Sequence, residues 1–519
     1  MIVTLSHICR AWRAIALAHP CFWTRVDGHC RERLETFAER SRGLPLSLFL
    51  STDTIAIPHV VDILVSKGSR VHTLNFTFWN ESSVEELGKF DIFKEMNLQC
   101  FTINYEFLCP IFHHETDFFL LGQRILPLTA LSIAPITGRF PTNHFPNLTH
   151  LYLALGSVHG RATDTVLRLL SCSLYDLLHN TPKLEFLTFL YFGTGGYGFA
   201  SDMSSKIQFP VPLDNLRSLT FIGGDLITIG VALERLSLPE TALVRIHGAY
   251  VPHPRAPPLP RLNAVRSINR LSLATEYSSL QMVAEGPSSG LWLHSLIEEV
   301  YWSRNWSAWL AELPTVLPLA QVTHLDLYIG IHRHILPNLL EHMPGLEEFS
   351  IRLRHQDECL GGNPKLSIAR AIYRLLRRKG PLLCPRLRVL SIDIDGAREN
   401  TVPDLYLHEL RSTMFYRKRI GRPIRSVRIQ PFADEQWIDE GFPGDLGIAK
   451  RLRELKPFAK RVELLRPCEP VIQYDRARWG HWYVDGAEKY WNSELEEIQY
   501  VTPWERELER GEYVATWYN

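Results

Sequence analysis

The sequence predicts an α/β solenoid, in which parallel strands line a concave face and helices cover the outside. Two observations predict this fold class. A short apolar pattern returns along most of the chain at intervals of about 20 to 40 residues, which is the spacing of stacked repeats. Segments with helical periodicity, such as "TDTVLRLLSCSLYDLLHN" and "IARAIYRLLRR", lie between the copies of that pattern.

The repeated pattern is an apolar residue, two variable residues, a second apolar residue, one variable residue and a third apolar residue. We find it at Val71/Leu74/Phe76, Leu98/Phe101/Ile103, Leu128/Leu131/Ile133, Leu148/Leu151/Leu153, Leu184/Leu187/Phe189, Leu216/Leu219/Phe221, Ile268/Leu271/Leu273, Ile297/Val300/Trp302, Val322/Leu325/Leu327, Leu346/Phe349/Ile351, Leu387/Leu390/Ile392 and Ile424/Val427/Ile429. A poorer copy contains Leu243 and Ile246. Each copy predicts one short strand with its apolar side chains in the core.

A proline often precedes the predicted strand, as in "FPNLTHLYL", "TPKLEFLTF", "MPGLEEFSI" and "CPRLRVLSI". Proline ends a helix and favours an extended segment, so the repeat unit reads as helix, short loop and strand. A single unit cannot bury both faces of its strand, whereas stacked units share one core. The last segment, from about Pro431, loses the pattern and contains six tryptophans, which predicts a packed cap or extension.

The variable positions beside the second and third apolar residues point out of the predicted sheet. They form a candidate binding surface for a protein partner, in which exposed aromatic side chains make good anchors. The candidate residues are Tyr152, Phe186, Tyr301, Asp326, Tyr328, Glu348, Arg352, Ser391 and Arg428.

The opening stretch "LSHICRAWRAIALAHPCFWTRV" predicts a short amphipathic helix that ends before Pro20. Its apolar residues recur at spacings of three and four, which places them on one helix face. They are Leu5, Ile8, Cys9, Trp12, Ile15 and Ala16, and Phe22 and Trp23 follow the proline.

This stretch resembles the second half of the F-box motif, a helix with Ile-Cys-x-x-Trp-x-x-Ile-Ala followed by a short Pro-x-Phe-Trp segment. The remainder, to about residue 430, looks like the leucine-rich-repeat-like proteins that mushroom-forming fungi carry behind an F-box. The first half of the motif would lie about 20 residues upstream of Met1. Either the sequence is truncated there, which we expect, or Met1 is the true start and the adaptor contact is incomplete. The resulting domains are a partial F-box (1–27), a leucine-rich-repeat-like solenoid (28–430) and a Trp-rich cap or extension (431–519).

The resemblance implies a substrate-recognition subunit of an SCF-type cullin-RING ubiquitin ligase, which performs no chemistry of its own. The F-box would bind the adaptor subunit of the ligase, and the repeats would bind an unknown target protein. The adaptor contact would fall on Leu5, Ile8, Cys9, Trp12, Ile15, Pro20 and Trp23. Two alternatives stay open: a repeat scaffold unconnected to ubiquitin, and tryptophans that pack only against the neighbouring repeat. An enzyme is the least favoured class, because there is no GxSxG motif and no activated-cysteine signature.

Composition excludes several other classes of protein. The 519 residues carry 56 basic and 56 acidic side chains, so nothing points to nucleic acid or an anionic membrane. No apolar run reaches the roughly 20 residues that span a bilayer. The nine cysteines form no CxxC pair, which favours reduced thiols and a cytoplasmic or nuclear protein.

The remaining motifs have plain explanations, and we expect no metal and no cofactor. Gly193, Gly195 and Gly198 have GxGxxG spacing, but no helix follows to face a phosphate, so a loop is expected. His19, Cys21, His29 and Cys30 fit no usual zinc spacing. The basic stretch at 415–428 has three interpretations: a solvated face or partner of the acidic C-terminal segment, an import signal, or part of a pocket in which Arg352, Arg354 and Arg428 hold an acidic peptide.

Overall fold

The computed structural model describes most of the chain and groups it into two compact units. The first unit comprises Met1–Pro239 with Val484–Asn519, and the second comprises Glu240–Tyr483. The described residues are 8–27, 31–53, 57–78, 96–105, 120–122, 125–136, 140–155, 173–192, 210–251, 259–276, 279–297, 305–328, 334–354, 368–378, 380–395, 404–431, 452–465, 484–487 and 489–491. The boundary between the two units, after Pro239, lies within the predicted repeat region. The predicted domain limits at residues 27 and 430 stay predictions.

The described helices of the first unit are short and separate its strands along the chain. They are α1 (Arg10–Ala18), α2 (Arg31–Arg40), α3 (Ile57–Lys67), α4 (173–179) and α5 (Leu226–Glu234), with 3₁₀ turns at Pro20–Trp23, Gly68–Arg70 and Leu120–Gly122. The strands are β1 (Arg25–Asp27), β2 (Leu46–Ser51), β3 (Val71–Phe78), β4 (Cys100–Tyr105), β5 (Ala130–Ile136), β6 (His150–Leu155), β7 (Phe186–Phe192), β8 (Val211–Pro212), β9 (Ser218–Gly224) and β10 (Leu236–Ser237).

The main strands of the first unit pair in chain order, and every pair is parallel. β1 to β7 follow one another and β9 pairs with β7, while β8 and β10 form a separate two-stranded pair. The second apolar position of each repeat is directly opposite its equivalent in the next strand. That row is Leu74, Phe101, Leu131, Leu151, Leu187 and Leu219, all of them buried. The predicted α/β class and the parallel sheet are therefore confirmed.

The first apolar position of the repeat closes a turn just before its strand. The backbone N–H of Leu148 donates to the carbonyl of Phe145, that of Leu184 to Thr181 and that of Leu346 to Met343. The proline of "FPNL", "TPKL" and "MPGL" occupies the second position of this turn, where its fixed φ is favourable. The leucine that follows is buried, so the turn delivers the chain into the strand with its apolar side inward.

The second unit contains nine described strands and five named helices. The strands are β11 (Leu243–Val251), β12 (Arg270–Glu276), β13 (Ser279–Glu285), β14 (Gly290–Ile297), β15 (His324–Tyr328), β16 (Glu348–Arg354), β17 (Val389–Asp395), β18 (Ser426–Pro431) and β19 (Arg461–Leu464). The helices are α6 (Asn305–Ala311), α7 (Leu313–Val316), α8 (Leu336–Glu341), α9 (Ile368–Leu376) and α10 (Asp404–Arg419), with 3₁₀ turns at Asn263–Val265 and Leu319–Gln321.

The second unit departs from one strand per repeat at an antiparallel meander. β12, β13 and β14 pair antiparallel, and β14 and β12 then pair in parallel with β11 and β15 respectively. The N–H of Gly286 donates to the carbonyl of Ser289 at 2.8 Å and closes the turn between β13 and β14. The expectation of a uniform strand-and-helix array is wrong here, because the segment "EGPSSG" makes a tight turn. Val300 and Trp302 of the predicted copy lie outside the described residues.

The parallel ladder of the second unit continues beyond residue 430. β15 to β19 pair in chain order, and Val427 is opposite Val462 while Ile429 is opposite Leu464. The expectation that the pattern is lost from Pro431 therefore fails at β19. That strand was missed because charged residues surround its two apolar positions in "KRVELL".

Candidate binding surfaces

The N-terminal helix α1 begins later than the apolar spacing predicts. Cys9 has extended backbone angles (φ −156°, ψ 170°) and its sulfur accepts the N–H of Trp12 at 3.5 Å, so it caps α1. Ile8 precedes the cap, and Leu5 lies outside the described residues. The predicted single helix face from Leu5 to Ala16 is therefore interrupted at Cys9.

Trp23 joins α1 to α2 and is itself enclosed. Its side chain is 1% exposed, and its Nε1–H donates to the carbonyl of Ala16 at 2.7 Å. The ring of Phe37 meets it edge-on at 4.9 Å between centroids, and the Arg40 guanidinium lies over it at 4.4 Å. Trp23 can therefore support an adaptor contact but does not present its ring to one. Pro20 is the first residue of the 3₁₀ turn that places Trp23.

Helix α1 also carries larger apolar side chains that point to solvent. Trp12 and Ile15 are each 47% exposed and lie three residues apart, so they share one side of the helix, while Ala16 is buried. Ile8, before the cap, is 60% exposed, and Phe22 is also exposed. We call Trp12 and Ile15 the α1 apolar surface. A helix normally buries its larger apolar side chains, so this arrangement is typical of a surface that binds a partner.

The outer side of the first sheet carries His150, Tyr152 and Phe186, and this set is called the first-unit face. His150 is opposite Phe186 in the parallel pair β6–β7, with ring centroids 4.4 Å apart. Tyr152 is 1% exposed and Phe186 is 6% exposed. The expectation that Tyr152 and Phe186 are exposed anchors is wrong. Whether either residue contacts a target stays a prediction.

Residues 484–487 and 489–491, called the C-terminal segment, lie over the first-unit face. His150 Nε2 is 2.7 Å from the carbonyl oxygen of Gly486. Trp491 packs against a buried cluster made of Ala134, Tyr152, Ala154, Leu190 and Ile222. Its ring is 6.1 Å from both His150 and Tyr152, and the Tyr490 ring meets His150 edge-on at 4.9 Å. These contacts explain why the predicted anchors are enclosed.

Burial disfavours the charged form of the His150 imidazole in this arrangement. Burial lowers its pKa below the ordinary value, and this outweighs the hydrogen bond to Gly486, which acts in the opposite direction. Because the Gly486 carbonyl can only accept, the neutral ring carries its hydrogen on Nε2. The hydroxyl of Thr149 lies 2.8 Å from Nδ1. That hydroxyl also lies 3.1 Å from the carbonyl of Thr129, to which it can donate its one hydrogen. The bond from Nε2 to Gly486 therefore links the ring to the C-terminal segment.

The outer side of the second sheet is polar and partly open, and its described predicted residues form the second-unit face: Asp326, Glu348, Arg352, Ser391 and Arg428. Ser391 is opposite both Ser350 and Arg428, and Ser350 is opposite Asp326, so one row crosses four strands. Glu348 Oε2 is 3.7 Å from His324 Nε2. Tyr328 is buried, against the expectation that it is exposed, and Tyr301 lies outside the described residues.

Acidic side chains that sequence reasoning missed lie beside the arginines of the second-unit face. Arg352 is opposite Asp393, and Arg428 Nε is 3.6 Å from Glu463 Oε2. Burial raises the pKa of Asp393 to about 6, with Asp326 also raising it and Arg352 lowering it. These neighbours reduce the positive charge that a pocket for an acidic peptide would need. The side chain of Arg354 lies outside the described part of the chain.

Part of the basic stretch 415–428 has a structural role. Arg417 is fully buried near the end of α10 and donates to the carbonyls of Leu383, Cys384 and Arg422. The Lys418 ammonium donates to the carbonyl of Pro457 at 2.7 Å. These two cations therefore satisfy backbone carbonyls. An import signal in this stretch stays a prediction.

The remaining motifs of the sequence are the His/Cys group at 19–30 and the GxGxxG stretch, and they lie only partly within the described residues. There, no group of three or more His, Cys, Asp or Glu side chains is arranged to hold a metal ion. His29, Cys30 and the glycines of the GxGxxG stretch lie outside that part of the chain.

None of the described helices has the length and apolar character needed to cross a membrane.

No protein-family model matches this chain, and no curated protein matches it.

Proposed function

We propose that the chain is the substrate-recognition subunit of an SCF-type cullin-RING ubiquitin ligase that works in the cytoplasm, the nucleus or both. In this proposal α1 and the 3₁₀ turn after it bind the adaptor subunit as part of an F-box. The parallel strands and their helices form a leucine-rich-repeat-like solenoid that holds a target protein. The chain performs no chemistry and acts by raising the effective concentration of a target lysine near the charged enzyme.

The single observation that supports this proposal is that α1 exposes its large apolar side chains and buries a small one. Trp12 and Ile15 are half exposed on one side, whereas the small Ala16 and the distant Trp23 make the internal contact. Helix α1 is therefore fastened to the first unit without using its largest apolar side chains. Tryptophan is among the side chains that contribute most to protein interfaces when they become desolvated, and Ile15 adds apolar area beside it.

Adaptor binding by purified protein tests the proposal. The double variant Trp12→Ala/Ile15→Ala should bind the adaptor at least about tenfold more weakly than the unmodified chain, the loss expected for two anchor residues. Leu17→Ala is the matched control, since Leu17 is 39% exposed but lies about 150° around the helix from the α1 apolar surface. Circular dichroism melts should show that all three proteins remain folded.

The same experiment separates the receptor from a scaffold unconnected to ubiquitin. It is run on the 519-residue chain and on a form extended by any coding sequence upstream of Met1. Adaptor binding that the double variant reduces and Leu17→Ala leaves in place supports the receptor. No binding by either form would leave the scaffold as the better account.

A further inference from the structure

We infer that the first-unit face is a docking site for an extended segment of a target protein that carries a glycine followed by aromatic residues, and that the C-terminal segment competes for this site. The inference rests on the proposed function, since it names the kind of target that the receptor holds. The second-unit face is not part of it.

The contacts of the C-terminal segment define what this site accepts. His150 donates its Nε2–H to a backbone carbonyl, which any peptide supplies. Gly486 has φ +88°, a left-handed value that favours glycine, and its α-carbon side faces the ring of Phe186. Trp491 rests on two alanines, Tyr152, Leu190 and Ile222, which form a shallow apolar seat for a large flat ring. The pattern is a carbonyl, a glycine and an aromatic side chain in one short stretch.

The attachment of the C-terminal segment is uneven along its length: Val484 is 7% exposed, whereas the described residues that follow it are less enclosed. Tyr490 and Trp491 are only partly buried, and Asp485 and Lys489 are exposed. By contrast, the residues below, such as Tyr152 and Ala154, are almost fully enclosed. Among the described contacts, release of the residues after Val484 breaks the hydrogen bond between His150 and Gly486 and the ring contacts of Tyr490 and Trp491 with the first-unit face. An occupant that makes the same contacts with more apolar area would replace it.

Competition within one chain has a measurable consequence. A face that is free for only a fraction of the time binds a ligand more weakly by that same fraction. Variants that release the C-terminal segment should therefore bind the peptide VDGAEKYW, residues 484–491, more tightly than the unmodified chain does. This relation holds for any ligand that uses the same seat.

The test is fluorescence anisotropy with a labelled VDGAEKYW peptide and full-length proteins. We expect Trp491→Ala to bind the peptide about tenfold or more tightly than the unmodified chain, as expected if the face is closed about nine-tenths of the time. Gly486→Ala should shift affinity in the same direction by less, because it strains the backbone and keeps both rings. Phe415→Ala is the control, since it removes an exposed aromatic ring from the second unit. It should leave the affinity unchanged.

Specificity is checked with a peptide in which the tryptophan is replaced by alanine, which should bind neither protein. Equal affinity of the two proteins for VDGAEKYW, no binding by a folded Trp491→Ala chain, or equal binding of both peptides would each overturn the inference. Adaptor binding is measured on the same samples. If it fails while the peptide result holds, the proposed ubiquitin function falls and the docking site remains; the reverse result removes only the docking site.

Discussion

The same apolar pattern forms the strands of both sheet faces, but the outward side chains of the two units differ in polarity and in burial. In the first unit, Tyr152 and Phe186 are enclosed beneath the C-terminal segment. In the second unit, Asp326 and Arg428 occupy the repeat position equivalent to Tyr152, Arg352 lies two residues after that position in its own strand, and all three are partly open. The inward leucines are buried in both units. The inward positions of a repeat therefore determine the strand, whereas the outward positions determine what the strand can bind.

The side chains of each face are suited to its being covered, in the first unit, or partly open, in the second. Small residues such as Ala134 and Ala154 leave room for the ring of Trp491, and burial lowers the pKa of His150, which favours its neutral form. The second-unit face instead places Asp393 beside Arg352 and Glu463 beside Arg428. Water solvates such charged side chains, so leaving them exposed on this face costs little free energy. An apolar seat without cover would instead expose a patch that attracts other proteins.

The largest difference between the faces should appear on truncation of one outward side chain in each. Tyr152→Ala should lower the free energy of unfolding by about 3 kcal/mol, because a buried ring is lost and a cavity remains. Glu348→Ala should change it by less than about 0.5 kcal/mol, since its side chain is well exposed. Denaturant titration of both variants measures this. Equal losses would remove the distinction between a covered and an open face.

Asp393 makes the second unit less stable as its carboxylate ionises. Its pKa is raised from 3.8 to about 6, so between these values the folded chain binds more protons than the unfolded chain. The free energy of unfolding should therefore fall as pH rises through this window, by roughly 1–3 kcal/mol. Asp393→Asn should abolish this fall and be more stable than the unmodified chain at pH 7. A stability profile unchanged by the substitution would contradict this account.

His150 should make closure of the first-unit face depend on pH. Burial with the C-terminal segment in place lowers its pKa, so the open form binds a proton more readily than the closed form as the pH falls. Acidification should therefore favour release, with Glu185 opposing the effect and Lys489 and Arg217 adding to it. Hydrogen exchange of amides 489–491, corrected for intrinsic rates, should lose protection between pH 7.5 and 5.5. His150→Gln keeps a donor without titrating, so its protection should not change; equal loss in both proteins would exclude His150 as the cause.

The smallest effect is expected for the ion pair on the second-unit face. Arg428 and Glu463 are 3.6 Å apart with side chains 40% and 24% exposed, and such pairs contribute little. Arg428→Ala should change the free energy of unfolding by less than about 0.5 kcal/mol, and the change should shrink further in 1 M salt. A loss of several kcal/mol would mean that this ion pair stabilises the second unit strongly despite its partial exposure.

The strand positions could be predicted from the sequence because their cause is local. Burial of Leu131, Leu151 and Leu187 requires only the spacing within each repeat, and the same spacing brings them into register. The antiparallel meander was also signalled, since Leu280 and Met282 alternate before "EGPSSG" and Leu291 and Leu293 alternate after it. The expectation of one strand per repeat did not use this alternation.

The covered face could not be predicted in this way. His150 and Gly486 are 336 positions apart, and nothing in the apolar spacing near either residue indicates the other. The burial of the two indoles could not be predicted either, because Trp12 and Trp23 both lie beside apolar residues in the same short stretch. The hydrogen bond from Trp23 to Ala16, the ring of Phe37 and the guanidinium of Arg40 enclose Trp23 in the folded chain.

The central claim is that α1 is a docking element fixed to a repeat domain, and hydrogen exchange tests it most directly. The full-length chain is compared with and without a saturating concentration of the adaptor subunit. The account predicts added protection of the amides in residues 10–23, with the strands of both sheet faces unchanged. Unchanged exchange in residues 10–23, at an adaptor concentration that protects a known F-box protein, would contradict it.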